Sequence, residues 1–192
     1  IGDMNMDGLT DIVYTNYAAE VNVLAYLIDN KSSNDGSLRN AVFVHDFDSP
    51  IVHKLSWPKI SWGPGLFDLD NDGDLDLFFA NGHLNSVSGD NRQENLLFEN
   101  DGKGNFTDIS EASGIITPGK RIHRGALFAD YDNDGRVDIY ITVNGQQVED
   151  GNGNIIYDAN QGKGVLLHNE SIKQNSWVKI RLEGTKSNRD GF

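Results

Sequence analysis

The chain has 192 residues, with 16 Lys and Arg against 29 Asp and Glu, for a net charge of −13. That balance argues against nucleic acid, whose phosphates demand basic patches. No run approaches the ~18 apolar residues of a membrane span, and zero Cys excludes a disulfide scaffold and a thiolate zinc site. With 38% hydrophobic residues the chain can bury a core, in one domain or two. Of the 29 acidic residues 22 are Asp, and there are 21 Gly. A solvated helical surface would favour Glu, so Asp with Gly points to turns and oxygen-rich metal loops. Ile1 opens directly on Gly2-Asp3 with no signal peptide, and the chain reads as a piece of something longer.

One pattern occurs three times along the chain. "DMNMDGLTDIVYTN" starts at Asp3, "DLDNDGDLDLFFANG" at Asp68 and "DYDNDGRVDIYITVNG" at Asp130, spaced by 65 and 62 residues. The shared skeleton is D-x-[DN]-x-D-G-x-x-D, then a β-branched or aromatic run ending in Asn. The first unit, residues 1–62, reads as the strands "DIVYTN", "NVLAYLID" and "NAVFVHDF", with a turn at "NKSSNDGS". In the second, residues 63–122, "GLF" and "LDLFFA" flank the acidic loop as a hairpin. "NLLFEN", "DGKG" and "NFTDIS" then make a second hairpin. The third, residues 123–174, offers "GALFAD", "VDIYITV" and "GVLLHN", with "WVKIRLEG" after it. A Gly/Asn-rich insertion at 145–164 interrupts it as a long loop or a small extra hairpin. The best helical candidate is Asp108–Ile115, one or two turns at most.

Four-stranded units at a fixed period predict an all-β fold of propeller blades, since a lone blade cannot bury both faces. A six- to eight-bladed ring would need roughly 360–480 residues, so three blades form an arc of a larger propeller. A free-standing β-sandwich with acidic hairpin loops is the plainer alternative.

The loop spacing has a chemical reading. Calcium takes about six to eight oxygens, and alternate side chains of a tight loop converge. Side chains at loop positions 1, 3, 5 and 9 would ligate, and position 7 would lend its carbonyl, with Gly at position 6 for the bend. The first loop supplies Asp3, Asn5, Asp7 and Asp11 with the carbonyl of Leu9; the second supplies Asp68, Asp70, Asp72 and Asp76 with that of Asp74. The third supplies Asp130, Asp132, Asp134 and Asp138 with that of Arg136. Leu, Asp and Arg at position 7 suit a residue used only through its backbone. Three Ca²⁺ sites are therefore expected, and without metal the carboxylates should raise one another's pKa. An EF-hand would need Glu at position 12, where Tyr14, Phe79 and Ile141 stand. Dockerin loops carry Asp there and sit on helices, and thrombospondin-type repeats need Cys.

These loops, inside β units of about 60 residues, resemble the FG-GAP/VCBS repeat that builds calcium-bearing propellers, including those of integrin α chains. "NLLFENDGKGNFTDISEASGI" (Asn95–Ile115) is similar to the second half of that repeat. "NSWVKIRLEGTKSNRDG" (Asn175–Gly191) resembles the start of an ASPIC/UnbV domain, truncated within 175–192. The resemblance implies a secreted or cell-surface protein in which calcium is structural and loops hold a protein or glycan partner.

No catalytic constellation stands out: no Ser has a G-x-S-x-G setting, and no Gly-rich phosphate loop opens a helix. An enzyme is the less favoured reading; the alternative is a domain of a secreted polysaccharide-acting hydrolase or lyase. His45, His53, His83, His123 and His168 show no zinc-ligand spacing. Trp57 and Trp62 are expected to pack against a neighbouring blade more than to stack a sugar, and Trp177 to enter a core. Arg121, His123 and Arg124 form the one dense basic patch. Asn81 and Asn144 are expected to cap turns, and sequons stand at Asn30, Asn105 and Asn169.

Overall fold

The computed structural model describes residues 1–17, 19–29, 41–46, 49–84, 90–158 and 162–171, together with Asn175, Val178 and Ile180. Sheets dominate. β1 (Ile12–Tyr14), β2 (Val23–Asp29) and β3 (Ala41–His45) form an antiparallel meander, followed by the helix α1 (Pro50–Ser56). β4 (Ser61–Phe67), β5 (Asp76–Asn81), β6 (Leu96–Glu99) and β7 (Thr107–Asp108) form a complete four-stranded meander. β8 (Ile122–Ala129), β9 (Asp138–Asn144) and β12 (Val165–Leu167) form the third sheet. β10 (Gln146–Glu149) and β11 (Ile155–Asp158) make a separate hairpin between β9 and β12, so the 145–164 insertion contains the extra hairpin. The segment expected to give the fourth strand of the third unit lies almost wholly outside the described residues. The turn at 30–37, the Asn30 sequon and Trp177 also lie outside the described residues.

The sheets stack through two cores. Met4, Leu24, Val52, Leu77, Phe79, Leu96, Phe98 and Phe106 join the first sheet and α1 to the second. Phe67, Phe78, Ala80, Leu97, Ile115, Ile139 and Ile141 join the second sheet to the third. Side chains alternate across a strand, so β5 sends Leu77 and Phe79 to one core and Phe78 and Ala80 to the other. β4 and β8 are edge strands that run close together. A Cβ on Gly63 would lie 2.7 Å from the backbone nitrogen of Ala126, so only glycine permits the approach. Among the described residues the sheets do not close into a ring.

Two local expectations change. Asp108–Ile115 is not helical. The N–H groups of Gly114, Thr117 and Gly119 bond carbonyls three residues back, and Gly114 sits at φ +76°, so Ser110–Pro118 is a chain of turns. The helix falls instead at Pro50–Ser56, where Pro50 opens the first turn with its φ preset. Val52 is buried, and Ile51 and Leu55 pack on the first core.

Asn81 does brace its turn: its N–H donates to Asn95 Oδ1 at 3.0 Å and its side chain to Glu94 O at 2.9 Å. Asn16 and Asn22 repeat the arrangement in the first sheet. Trp57 stays exposed, against the expectation of packing, and Trp62 meets the neighbouring sheet through Arg124 while remaining 38% exposed. The Trp62 indole N–H donates to Gly82 O at 2.7 Å, and the Arg124 guanidinium lies 4.6 Å above its ring. Arg124 also donates to the carbonyls of Gly82, His123 and His83, so it clamps the β8 and β5 ends together.

Candidate metal centre

Each acidic loop occupies the same place in its unit. Residues 68–76 connect β4 to β5 and 130–138 connect β8 to β9, while 3–11 leads into β1 and is closed by paired Gly2 and Asp11. The three share one backbone course. Position 4 is left-handed in each (Met6 φ 56°, Asn71 φ 60°, Asn133 φ 63°), as is position 6 (Gly8 φ 85°, Gly73 φ 97°, Gly135 φ 88°). A Cβ at Gly8 or Gly73 would touch nothing within 4 Å, so glycine is needed there for its φ and not for space.

The internal hydrogen bonds repeat as well. The first Asp of each loop accepts two N–H groups, from positions 5 and 6. Asp68 takes Asp72 N at 3.1 Å and Gly73 N at 3.0 Å; Asp3 takes Asp7 N at 3.1 Å and Gly8 N at 2.8 Å; Asp130 takes Asp134 N at 3.0 Å and Gly135 N at 3.2 Å. Position 3 accepts the position 5 N–H through Asn5, Asp70 and Asp132. Position 5 accepts the position 7 N–H through Asp7, Asp72 and Asp134. The loops thus turn their carboxylates inward before any ion is considered.

Oxygens of Asp68, Asp70 and Asp76 lie within 4.8 Å of one another, as do those of Asp130, Asp132 and Asp138. These acidic clusters can hold a metal ion. In the first loop Asn5 stands at position 3, leaving two carboxylates and an amide at the corresponding places. Position 5 is brought in less directly: Asp134 groups with Asp132 and His168.

The last Asp of each loop is the most enclosed, at 0%, 1% and 2% exposure for Asp11, Asp76 and Asp138. Each spends one oxygen on the position 2 N–H of its own loop, with Met4 at 2.9 Å, Leu69 at 2.9 Å and Tyr131 at 3.2 Å. The other oxygen accepts from the adjacent strand segment, from the N–H groups of Leu27, Asn100 and Asn169. Each carboxylate oxygen keeps a second lone pair for a cation.

Burial pushes Asp76 up to about 7, against the pull of the Asn100 and Leu69 N–H groups. Asp74 is pushed up to about 6 by burial and by the fields of Asp72, Asp70 and Asp68. Burial also raises Asp11. Position 7 is expected to serve only through its backbone, yet the Asp74 side chain is buried, and its Oδ1 has no hydrogen-bond partner. An orphaned, buried carboxylate oxygen beside three more carboxylates is the electrostatic demand a hard cation satisfies.

The third loop differs. The Arg136 guanidinium pairs with Asp134, and the Arg136 N–H is the leading cause that holds the Asp134 carboxyl below its usual range. His168 Nε2 lies 2.9 Å from Asp132 Oδ2 and 3.6 Å from Asp134 Oδ2. Desolvation opposes its charging, but the bond to Asp132 and the fields of Asp132, Asp138 and Asp134 carry His168 above an ordinary imidazole. Sequence spacing missed His168, which is 36 residues from Asp132. It missed Asn100 and Asn169 too, although "LFEN" and "LLHN" align when the repeats are superposed.

Residues 68–141 match an FG-GAP-like repeat. The match opens on Asp68, just after β4, and runs through β5, β6, β7, β8 and the third loop into β9, so it takes in both three-carboxylate clusters. No curated protein matches the chain. Among the described residues no helix is long and apolar enough to cross a membrane.

Proposed function

We propose that the chain is an arc of an extracellular calcium-bearing β-propeller. Its units 1–62, 63–122 and 123–174 serve as blades, and 175–192 begins an ASPIC/UnbV-like segment. The observation that carries this reading is the threefold recurrence of one loop geometry around converging carboxylates. Oxygen-only donors of this density suit calcium better than magnesium, which prefers to keep several waters. The holding residues would be Asp3, Asn5, Asp7, Asp11 and the Leu9 carbonyl; Asp68, Asp70, Asp72, Asp76 and the Asp74 carbonyl; and Asp130, Asp132, Asp134, Asp138 and the Arg136 carbonyl. The ion neutralises charge that the loops otherwise confine, and so acts as a structural staple in a chain without disulfides. A rigid arc of this kind displays its connecting loops to a protein or glycan partner.

The test is thermal unfolding of the purified chain with calcium, with magnesium and with excess EDTA. At free calcium about 100 times Kd each site adds about 2.7 kcal/mol, so a calcium-specific rise in Tm is expected. Equal melting in all three buffers would sink the reading.

A further inference from the structure

The three buried carboxylates that close the loops are linked, residue to residue, by hydrogen bonds through Asn169, Leu69, Asn100 and Met4. Asp138 Oδ1 accepts the Asn169 N–H at 2.8 Å, and Asn169 Nδ2 donates to Leu69 O at 2.7 Å. The Leu69 N–H donates to Asp76 Oδ2 at 2.9 Å, and Asp76 Oδ1 accepts the Asn100 N–H at 3.0 Å. Asn100 Nδ2 donates to Met4 O at 2.8 Å, and the Met4 N–H donates to Asp11 Oδ2 at 2.9 Å. The same two amides hold their own loops, through Leu75 O at 3.0 Å and Val137 O at 3.2 Å. Each Asn therefore ties position 8 of its own loop to position 2 of the loop before it, across 96 and 100 residues of chain.

We infer that Asn100 and Asn169 are positioning residues that make metal binding at neighbouring loops cooperative. The inference rests on the metal reading above. An ion on the second loop fixes Asp76, which fixes the Asn100 backbone and with it the amide on Met4 O. The Met4 N–H then stands already aimed at Asp11, so the first loop has less freedom to lose when its own ion arrives. The coupling is reciprocal, and typical couplings change affinity by about 5- to 150-fold. The second joint has an additional tie, from Asn71 Nδ2 to Gly135 O at 3.1 Å, so the first joint depends more on its asparagine.

The sequence supplies the informative variant. Leu27 holds the place of Asn100 in the first sheet, donating its N–H to Asp11 Oδ1 at 2.9 Å with no side-chain amide. Asn100→Leu should keep the backbone bond to Asp76 and lose the bridge, together with the bonds its Oδ1 accepts from the Asp101 and Gly104 N–H groups at 2.9 and 3.1 Å. Calcium titration of the full chain, followed by NMR at the Gly8, Gly73 and Gly135 amides, reads each loop separately. In the wild type Gly8 and Gly73 should respond together and more steeply than a single-site curve. In Asn100→Leu, Gly8 should lag Gly73 by about 5-fold or more in calcium. Asn169→Leu should separate Gly135 from Gly73 by a smaller factor, and it carries the test should Asn100→Leu not fold. Wild-type curves that are hyperbolic and independent, or variant midpoints in the wild-type ratio, would overturn the coupling while leaving calcium binding intact. No response at any of the three glycines would overturn the metal reading, and the coupling with it.

Discussion

If calcium fills the loops as proposed, lowering the pH should erode the stability it adds, and Asp76 sets where. Its carboxyl is raised from 3.8 to about 7 by burial. Between those values the native metal-free chain holds a proton that the unfolded chain has lost. Its own contribution therefore favours the metal-free native state at acid pH and fades as pH rises through about 7. Calcium must displace that proton, so below this point apparent affinity falls up to tenfold per pH unit. Asp76 is already half protonated at pH 7, so from pH 7 to pH 5 it lowers affinity about 50-fold and the calcium increment at the second loop should shrink by about 2.3 kcal/mol, or roughly 5–9 °C in Tm for a chain of this size. The increment, calcium minus EDTA, is the quantity to follow. His123, pushed down to about 4 by burial, acts in the opposite sense, since its contribution to stability is lost as pH falls from 6.5 to about 4. It belongs to the far end of β8 and cancels in the difference. Scanning calorimetry at several pH values, in excess calcium and in EDTA, makes the measurement. An increment that stays constant down to pH 5 would refute the reasoning, because Asp76 would then be either ionised throughout or not a ligand.

Three further outcomes follow from packing and charge. Phe98→Ala, at a fully buried ring edge-on to Phe79 at 6.2 Å, should cost about 3–5 kcal/mol in denaturant unfolding. Gly63→Ala should cost about 1–3 kcal/mol or more, read as a lower Tm with calcium present, because its Cβ would meet unyielding backbone at Ala126. Arg136→Leu copies position 7 of the first loop and removes the guanidinium from Asp134. Calcium at the third loop should then tighten several-fold by calorimetric titration, and unchanged affinity would show that the ion pair does not compete.

The loops were legible in the sequence because their determinants are local. Gly8, Gly73 and Gly135 supply the left-handed bend, and Asn71 and Asn133 suit the second left-handed position. Apolar runs after each loop revealed the strands, and two hairpins per unit revealed the meander of the second sheet. What escaped depends on contacts distant in sequence. Nothing near Asn100 says that its amide will reach the carbonyl of Met4, and Asn169 reads in sequence only as a sequon. Its Nδ2 is in fact committed to Leu69 and Val137, the opposite of an exposed acceptor. Asp74 looked interchangeable with Leu9 and Arg136 because position 7 was judged by its carbonyl alone, and burial is invisible to that argument. The helix α1 carries its code in Pro50 and the apolar pair Ile51 and Val52, a stretch too short for a helical period to emerge.

β5 raises a problem of phase. Where one face of a strand meets water, a slip of one residue exposes the apolar set, and that cost holds the alignment. With Leu77, Phe78, Phe79 and Ala80 all buried, a slip merely exchanges one core's side chains for the other's. The polar residues at its two ends bear the alignment instead. Asp76 must find the N–H groups of Leu69 and Asn100, and Asn81 must find Asn95, Glu94 and the Ser61 hydroxyl at 2.6 Å. A residue that would serve a cation is thus also a ruler mark for the central strand. Replacing it would misalign a sheet as well as empty a site.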